Sequence, residues 1–193
     1  WGHTPMPPGL ETLGRNCSAV CFGSLAQRSS VSRATINAFV DLMPEDSLKI
    51  FDINLRQHYF NEEIVCNSMN KADILKINDE EIIVVAEMLN ITGKSQKEIC
   101  EVLLDRFALK MVILTCGDKG SYVLSAEESS WVDTPKVNVV STVGAGDSFT
   151  GTFIASILLG KTIRQAHEAA VRVSAYVCTC QGAMPAIPQD LLF

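Results

Sequence analysis

The sequence has 193 residues, with 16 Lys and Arg against 22 Asp and Glu, and its net charge at neutral pH is −6. This acidic balance argues against nucleic acid as a partner. The composition, 47% hydrophobic and 20% charged, is typical of a globular protein and excludes intrinsic disorder, and no apolar run approaches the roughly 20 residues that a membrane span needs.

Strands and helices are predicted to alternate over the first 115 residues. Short β-branched runs predict strands at about 19–23, 48–53, 73–77 and 110–115, separated by helices at about 30–43, 61–70, 78–89 and 95–107. Such βαβ units favour a parallel sheet with right-handed crossovers.

The rhythm changes after residues 116–120. Short strands at about 121–124, 130–132 and 137–140 predict an antiparallel edge to the sheet, and two helices follow at about 147–159 and 163–178. No internal repeat, low-complexity tract or linker interrupts the pattern. We therefore predict one α/β domain over residues 1–193, with a mainly parallel central sheet flanked by helices.

The cysteines bear on the cellular compartment of the protein, and the first residues bear on whether the sequence is part of a longer chain. Seven cysteines, an odd number without paired C-x-x-C spacing, favour packing as thiols in a reducing cytoplasm. The chain begins with Trp1, and no charged region followed by an apolar stretch comes after it. We therefore expect the sequence to start inside a longer natural chain.

The strongest chemical signal is a glycine-rich stretch between a predicted edge strand and a helix. It reads Ser141-Thr142-Val143-Gly144-Ala145-Gly146-Asp147. The two glycines allow a ligand to approach the backbone closely, and the amides of Ala145, Gly146 and Asp147 would point at an anion at the positive end of the helix dipole. The stretch lacks the Gly-Lys-Ser/Thr of a Walker A loop and the third glycine of a dinucleotide fingerprint.

Asp147 has two interpretations. The plain one is an N-cap for the following helix. The chemical one is a carboxylate beside a transferring phosphoryl group, where it accepts the proton of an attacking hydroxyl.

A second candidate group is Asp52, Asn54 and Arg56, at the end of a predicted strand. Alternation along a strand would place the three side chains on one face, at the carboxyl end where open α/β sheets bind ligands. Arg56 would clamp phosphate oxygens in a fork geometry. The alternative is a solvated strand end with an internal Asp–Arg pair.

Two further strand ends carry weaker signals. Asn78 and Glu81 have the spacing of a capping box, and on spacing alone this structural interpretation is favoured. The functional interpretation places Glu81 near a hydrated Mg²⁺. Thr115, Gly117 and Gly120 would hold a nucleotide or form a tight turn into a hairpin. The three histidines lack metal-ligand spacing and are interpreted as surface or structural residues.

Taken in order, these stretches resemble the PfkB (ribokinase-like) family of carbohydrate kinases. The most specific match is Thr142-Val143-Gly144-Ala145-Gly146-Asp147, which is similar to the family's second signature, D-T-x-G-A-G-D. The D-x-N-x-R, N-x-x-E and T-x-G-x-x-G stretches match in the same order, as does the tail Gln181-Gly182-Ala183-Met184-Pro185. The resemblance covers nearly the whole chain.

The resemblance implies a ribokinase-like fold and ATP-dependent phosphorylation of a sugar hydroxyl. It implies Asp147 as the general base, and the amides of Gly144, Ala145 and Gly146 as the anion hole for the γ-phosphoryl group. The roles it implies elsewhere are Asn78 and Glu81 for Mg²⁺ and its waters, Arg56 for phosphate or substrate, and Thr115, Gly117, Gly120 and Gly182 for the nucleotide.

The sequence departs from the family in two respects. Ser141 stands where the family has an Asp that helps bind K⁺, and Ala186 stands where some members place a hydroxyl on the same ion. Both departures argue against activation by K⁺, although carbonyl groups can still hold such an ion weakly. The family's first strands, Gly-Gly signature and β lid do not precede Trp1. If the chain starts here, we expect an incomplete sheet with an exposed edge and little sugar affinity. In a longer chain, the resemblance implies a homodimer formed through that lid.

Several functions stay open at this stage. The stretch Gly23-Ser24-Leu25-Ala26 with Arg28 is most similar to fructokinases and 2-keto-3-deoxygluconate kinases, with fructose as the first choice of substrate and a nucleoside less favoured. A non-catalytic regulator that binds a nucleotide or a sugar is the alternative from another class. A Rossmann oxidoreductase is disfavoured because its early glycine fingerprint is missing.

Overall fold

The computed structural model describes residues 3–192 and has an α/β architecture. Within these residues, six strands form one sheet in the order β1-β2-β3-β4-β5-β6. The strands are β1 Ala19–Phe22, β2 Leu48–Asp52, β3 Ile74–Asn78, β4 Met111–Thr115, β5 Ser121–Ser125 and β6 Ser129–Val132. The helices are α1 Leu10–Arg15, α2 Ser30–Leu42, α3 Glu62–Lys71, α4 Glu81–Met88, α5 Gln96–Arg106, α6 Ala145–Leu158, α7 Ile163–Cys178 and α8 Gln189–Leu192, with a 3₁₀ turn at Leu25–Arg28.

The chain divides into two compact units, Trp1–Ile113 and Leu114–Phe193. In the first unit β1, β2 and β3 run parallel, with Ala19 opposite Leu48 and Ile50 opposite Ile74. The middle strands are buried on both faces, as their continuous apolar runs predict. The fully buried side chains of β2 and β3 are Ile50, Phe51, Ile74, Leu75 and Ile77.

The second unit contains the antiparallel hairpin β5–β6 and the helices α6, α7 and α8. The rings of Tyr122 and Trp131 pack across the hairpin with their centroids 4.2 Å apart. Helix α7 begins with a complete capping box formed by Thr162 and Gln165. Its inner face is made of small and β-branched residues, among them Ala166, Ala170 and Val173.

Most predicted elements of the sheet and its flanking helices are confirmed, and one strand is wrong. Residues 137–140 form no strand, because the N–H of Val140 donates to the carbonyl of Cys178 at the end of α7 (2.8 Å). Val139 and Val140 stay exposed. The short helices α1 and α8 and the 3₁₀ turn were not predicted, and the single-domain count stays a prediction.

In the part of the chain from residue 3 to residue 192, no helix combines the length and the apolar character that crossing a membrane requires.

Candidate functional site

The candidate residues fall into two groups, one in each compact unit, and each group is built up separately. In the second unit the central feature is the glycine turn, which we define as residues 142–147. Gly144 is the N-cap of α6 and has a left-handed backbone (φ 86°), a conformation that glycine adopts without strain. The backbone thus reverses at Gly144 and enters a helix of 14 residues.

Four backbone amides of the glycine turn lack a partner. No group among residues 3–192 accepts the N–H of Thr142, Gly144, Gly146 or Asp147, and no side chain caps α6. The N–H of Ala145, in contrast, donates to the carbonyl of Thr142 (3.2 Å). Of the amides expected to face an anion, that of Ala145 is therefore excluded. Those of Gly144, Gly146 and Asp147 remain, and the last two lie in the first turn of α6, at the positive end of the helix dipole.

The carboxylate of Asp147 lies in the first turn of α6 and is exposed. Its interpretation as the N-cap is wrong, because Gly144 occupies that position and Asp147 is the third helical residue. Among the described residues none donates a hydrogen bond to this carboxylate. An acidic group with this placement is able to accept a proton from a bound molecule.

The segment that follows α7 packs against the glycine turn. A Cβ added to Gly144 would lie 2.8 Å from the Cα of Ala183 and closer still to its carbonyl oxygen. Glycine is therefore required at position 144 both by its backbone conformation and by its neighbour. Gly182, exposed and with φ 82°, directly precedes this contact.

The candidate nucleotide turn connects β4 to β5. The N–H of Cys116 donates to the carbonyl of Gly120 (2.9 Å), and the hydroxyl of Thr134 donates to the carbonyl of Gly117 (2.7 Å). A Cβ at Gly120 would lie 2.5 Å from the ring of Trp131, so packing within the hairpin explains this glycine. Gly117 is exposed with φ 58°, and Thr115 is half-buried at the end of β4.

In the first unit a buried ion pair lies at the carboxyl ends of β2 and β3. The Nζ of Lys76 lies 2.9 and 3.0 Å from the two carboxylate oxygens of Asp52, in the register that places these residues opposite each other. Their side chains are only 10% and 15% exposed. Removing one partner would leave a buried charge without compensation.

The shared face expected for Asp52, Asn54 and Arg56 is not formed. Strand β2 ends at Asp52, and Asn54 has a left-handed backbone (φ 42°), so the alternation of a strand does not continue to Arg56. Asp52 bonds Lys76 from the neighbouring strand and not Arg56. Arg56 is exposed, and no side chain among residues 3–192 forms an ion pair with it.

Asn78 and Glu81 form the capping box that their spacing predicts. The side-chain oxygen of Asn78 accepts the N–H groups of Glu80 (2.9 Å) and Glu81 (2.8 Å), and Oε2 of Glu81 accepts the N–H of Asn78 (3.0 Å). The other carboxylate oxygen, Oε1, accepts the N–H of Leu55 (2.9 Å). Glu81 therefore ties the loop that carries Arg56 to the start of α4.

The environment of Glu81 is only partly polar. Burial raises the pKa of this carboxyl above its ordinary value, and the hydrogen bonds from Asn78 and Leu55 oppose that change. Every side-chain oxygen of Asn78 and Glu81 already accepts a backbone N–H. Within residues 3–192, no three acidic, histidine or cysteine side chains come together as a metal site. This donor set fits hydrogen bonds to the waters of a hydrated Mg²⁺ better than direct coordination.

Four contributors to these groups had no individual role predicted from the sequence: Lys76, Leu55, Ser174 and Ala183. Lys76 pairs with a residue 24 positions away, and only the register of two parallel strands brings them together. Ser174, on α7, donates to the carbonyl of Ala145 (3.0 Å) across 29 positions. Neither spacing has a signature in the sequence, because a parallel register depends on the whole crossover.

Comparisons with known proteins agree on one family. Residues 29–190 match the family model described as pfkB family carbohydrate kinase. An ATP-dependent 6-phosphofructokinase from Thermoanaerobacterium thermosaccharolyticum is 31% identical over 193 residues, which is 96% of this chain and 58% of that protein. The chain thus spans little more than half the length of this relative.

Two solved structures have similar folds. A fructokinase from Vibrio cholerae O395, in a form with bound fructose, ADP and calcium ion, has a TM-score of 0.77 and 26% identity, covering 90% of this chain and 59% of that one. A 2-dehydro-3-deoxygluconokinase from Thermotoga maritima has a TM-score of 0.81 and 19% identity, covering 92% and 59%. The second likeness concerns the fold alone.

Proposed function

This chain belongs to the pfkB family of carbohydrate kinases, and from that premise we propose that it takes part in ATP-dependent phosphorylation of a sugar hydroxyl. The observation that carries the proposal is the glycine turn. Amides without partners and one exposed carboxylate lie together at the positive end of a 14-residue helix, and this arrangement suits a phosphoryl group and an attacking hydroxyl.

In the proposed reaction, Asp147 accepts the proton of the sugar hydroxyl as its oxygen attacks the γ-phosphorus of ATP. A new oxygen–phosphorus bond forms while the bond between the γ-phosphorus and the bridging oxygen breaks, and ADP leaves with the electron pair. The N–H groups of Gly144, Gly146 and Asp147 hold the oxygens of the transferring group, where negative charge is concentrated. Positioning and charge stabilisation account for most of the rate.

The remaining roles follow from the family resemblance. Asn78 and Glu81 would hold the waters of a hydrated Mg²⁺, which would supply charge neutralisation at the phosphates. Thr115, Gly117, Gly120 and Gly182 would lie near the nucleotide, and Arg56, which is exposed, would contact phosphate or substrate. The odd number and the spacing of the seven cysteines favour a reducing cytoplasm as the location.

Fructose is the first choice of substrate. It is supported by the similarity of this chain to a fructokinase solved with bound fructose, while the 6-phosphofructokinase relative makes fructose 6-phosphate a second candidate. A coupled assay of ADP release would compare fructose, fructose 6-phosphate, 2-keto-3-deoxygluconate, ribose and adenosine. Turnover with adenosine alone would overturn this ranking.

Replacement of Asp147 by Asn tests the proposed base. The amide cannot accept the hydroxyl proton, so we expect kcat to fall about 10³-fold while the dissociation constant of the Mg·ATP complex changes less than about threefold. Glu127→Gln, an exposed carboxylate in the same unit, is the matched control and should leave kcat unchanged. Unchanged turnover in Asp147→Asn would remove Asp147 as the base, and nucleotide binding without turnover in the unmodified chain would favour a regulator.

A further inference from the structure

The peptide group between Ala145 and Gly146 carries one of the amides of the glycine turn that lack a partner. Because a peptide group is planar and rigid, the carbonyl of Ala145 and the N–H of Gly146 point in opposite directions along one plane. Any hydrogen bond that fixes this carbonyl therefore fixes the direction of the Gly146 N–H as well.

Two hydroxyls bond the carbonyl oxygen of Ala145. Ser148 donates to it from the same helical turn (3.0 Å), and Ser174 donates to it from α7 (3.0 Å). The bond from Ser148 lies within α6, so it does not fix the orientation of α6 relative to any other helix. The bond from Ser174 joins two helices, so it determines how the first turn of α6 is oriented relative to α7.

Ser174 is an unusual residue for its position. It is half-buried on a helix whose inner face is mostly apolar, with Val173, Ala175 and Val177 buried beside it. A serine inside a helix ordinarily bonds a carbonyl of its own preceding turn and slightly weakens the helix. Here its hydroxyl donates to a different helix, at Ala145, the first residue of α6.

Other contacts with α7 and its following segment hold the two sides of the same turn. The carbonyl of Cys178 accepts the N–H groups of Val140 (2.8 Å) and Ser141 (3.2 Å), just before the turn. The backbone of Ala183 packs against Gly144, inside the turn. The hydrogen bond from Ser174 holds the turn where it enters α6, next to the unpartnered N–H groups of Gly146 and Asp147.

We propose that Ser174 is a positioning residue for phosphoryl transfer: through the Ala145 carbonyl it aims and polarises the N–H of Gly146 toward the anion. A carbonyl that accepts a further hydrogen bond makes the N–H of the same peptide group a stronger donor. The inference rests on the proposed function, since it assigns Ser174 to the turn that would hold the transferring group.

The test compares Ser174→Ala with Ser174→Thr, which retains a hydroxyl, and with Thr179→Ala, which removes a hydroxyl that bonds only near the end of α7, on the carbonyl of Tyr176 and beside Cys180. We expect Ser174→Ala to lower kcat about fivefold to tenfold with less than a twofold change in the KM for Mg·ATP, because the contact acts on the transition state. Ser174→Thr should return kcat to within twofold of the unmodified chain, and Thr179→Ala should leave it there.

A second measurement does not depend on turnover. The N–H of Ser148 forms the first hydrogen bond of α6, with the carbonyl of Gly144 (2.8 Å), and its hydrogen exchange in Ser174→Ala should be at least about threefold faster. Unchanged exchange, or an equal fall of kcat in Thr179→Ala, would overturn the positioning role. Faster exchange in a chain that phosphorylates no sugar would show that Ser174 orders the first turn of α6, and would reject both the kinase proposal and the role of Ser174 in phosphoryl transfer.

Discussion

His167 is fully buried in the second unit and bridges helix α7 and the β5–β6 hairpin. Its Nε2 lies 2.8 Å from the hydroxyl of Ser121 and its Nδ1 lies 2.9 Å from the hydroxyl of Ser130. One ring nitrogen donates and the other accepts, so the neutral ring satisfies both serines. Burial, with a smaller contribution from Arg164, lowers the pKa of His167 to about 4. The interpretation of this histidine as structural is confirmed.

The titration of His167 predicts a dependence of stability on pH. The unfolded chain, with a histidine pKa near 6.5, binds the proton more readily than the folded chain, so the free energy of unfolding should fall as the pH drops from about 6.5 to about 4. The loss from this group is at most about 3 kcal/mol. Carboxylates titrate in the same range, so the contribution of His167 is the difference between the unmodified chain and His167→Gln.

Urea unfolding at pH 7.5 and pH 5 measures that difference. We expect the unmodified chain to lose more stability between the two pH values than His167→Gln does, with His58→Gln, at an exposed histidine, behaving like the unmodified chain. Equal losses in the unmodified chain and in His167→Gln would show that His167 titrates normally when folded.

At the scale of elements, two helices begin with the same capping arrangement in different surroundings. In α5 the box of Ser95 and Glu98 is exposed, and the hydrogen bonds from Ser95 lower the pKa of Glu98. In α4 the box of Asn78 and Glu81 is half-buried, and Glu81 also accepts the N–H of Leu55 from the loop after β2. The second box therefore joins a helix to a loop as well as capping the helix.

Replacing each glutamate by glutamine separates these two roles. Glutamine offers one acceptor where the carboxylate offers two, so Glu81→Gln must leave the N–H of Leu55 or of Asn78 without its partner. We expect Glu81→Gln to lower the free energy of unfolding by about 2 kcal/mol, and Glu98→Gln to lower it by less, as measured by urea unfolding at pH 7. Equal losses would mean that the bond to Leu55 adds nothing to the cap.

The sequence predicts elements well where a local physical rule decides them. The apolar runs of β2, β3 and β4 and the caps at Ser95 and Thr162 are of this kind, since burial and capping leave a pattern within a few residues. The glycine turn was also predicted, because two glycines before a helix restrict the backbone to few conformations.

The errors arise where distant groups decide the structure. Residues 137–140 have the β-branched pattern of a strand, but the N–H of Val140 bonds the end of α7 instead of a neighbouring strand. The alternation through Arg56 fails because β2 ends at Asp52, whose carboxylate bonds Lys76 from β3. In both cases the partner lies more than 20 residues away along the chain, so the local sequence does not contain it.

At the scale of the whole molecule, the seven cysteines differ in how they meet solvent. All are thiols in the described structure, and they range from the exposed Cys21 to the buried Cys100 and Cys116. Burial raises the pKa of Cys66 and of Cys178 above the ordinary value. Because the thiolate is the reactive form, exposure and pKa together predict an order of modification.

Peptide mapping after brief alkylation at pH 7.5 would measure this order. We expect Cys21 to react first, Cys66 and Cys178 at least about tenfold more slowly, and Cys100 and Cys116 only after unfolding in urea. Rapid labelling of Cys100 in the native chain would show that the first unit opens under these conditions, contrary to its packing.

Because Ala183 approaches Gly144 closely, the next residue, Met184, is a suitable position for a label that reports on the glycine turn. The side chain of Met184 is 94% exposed, and its backbone directly follows the peptide that touches the turn. An environment-sensitive dye attached at residue 184 would lie in solvent beside the glycine turn without blocking the proposed phosphate site. A change in its fluorescence would report binding of a ligand at the glycine turn before any phosphoryl transfer.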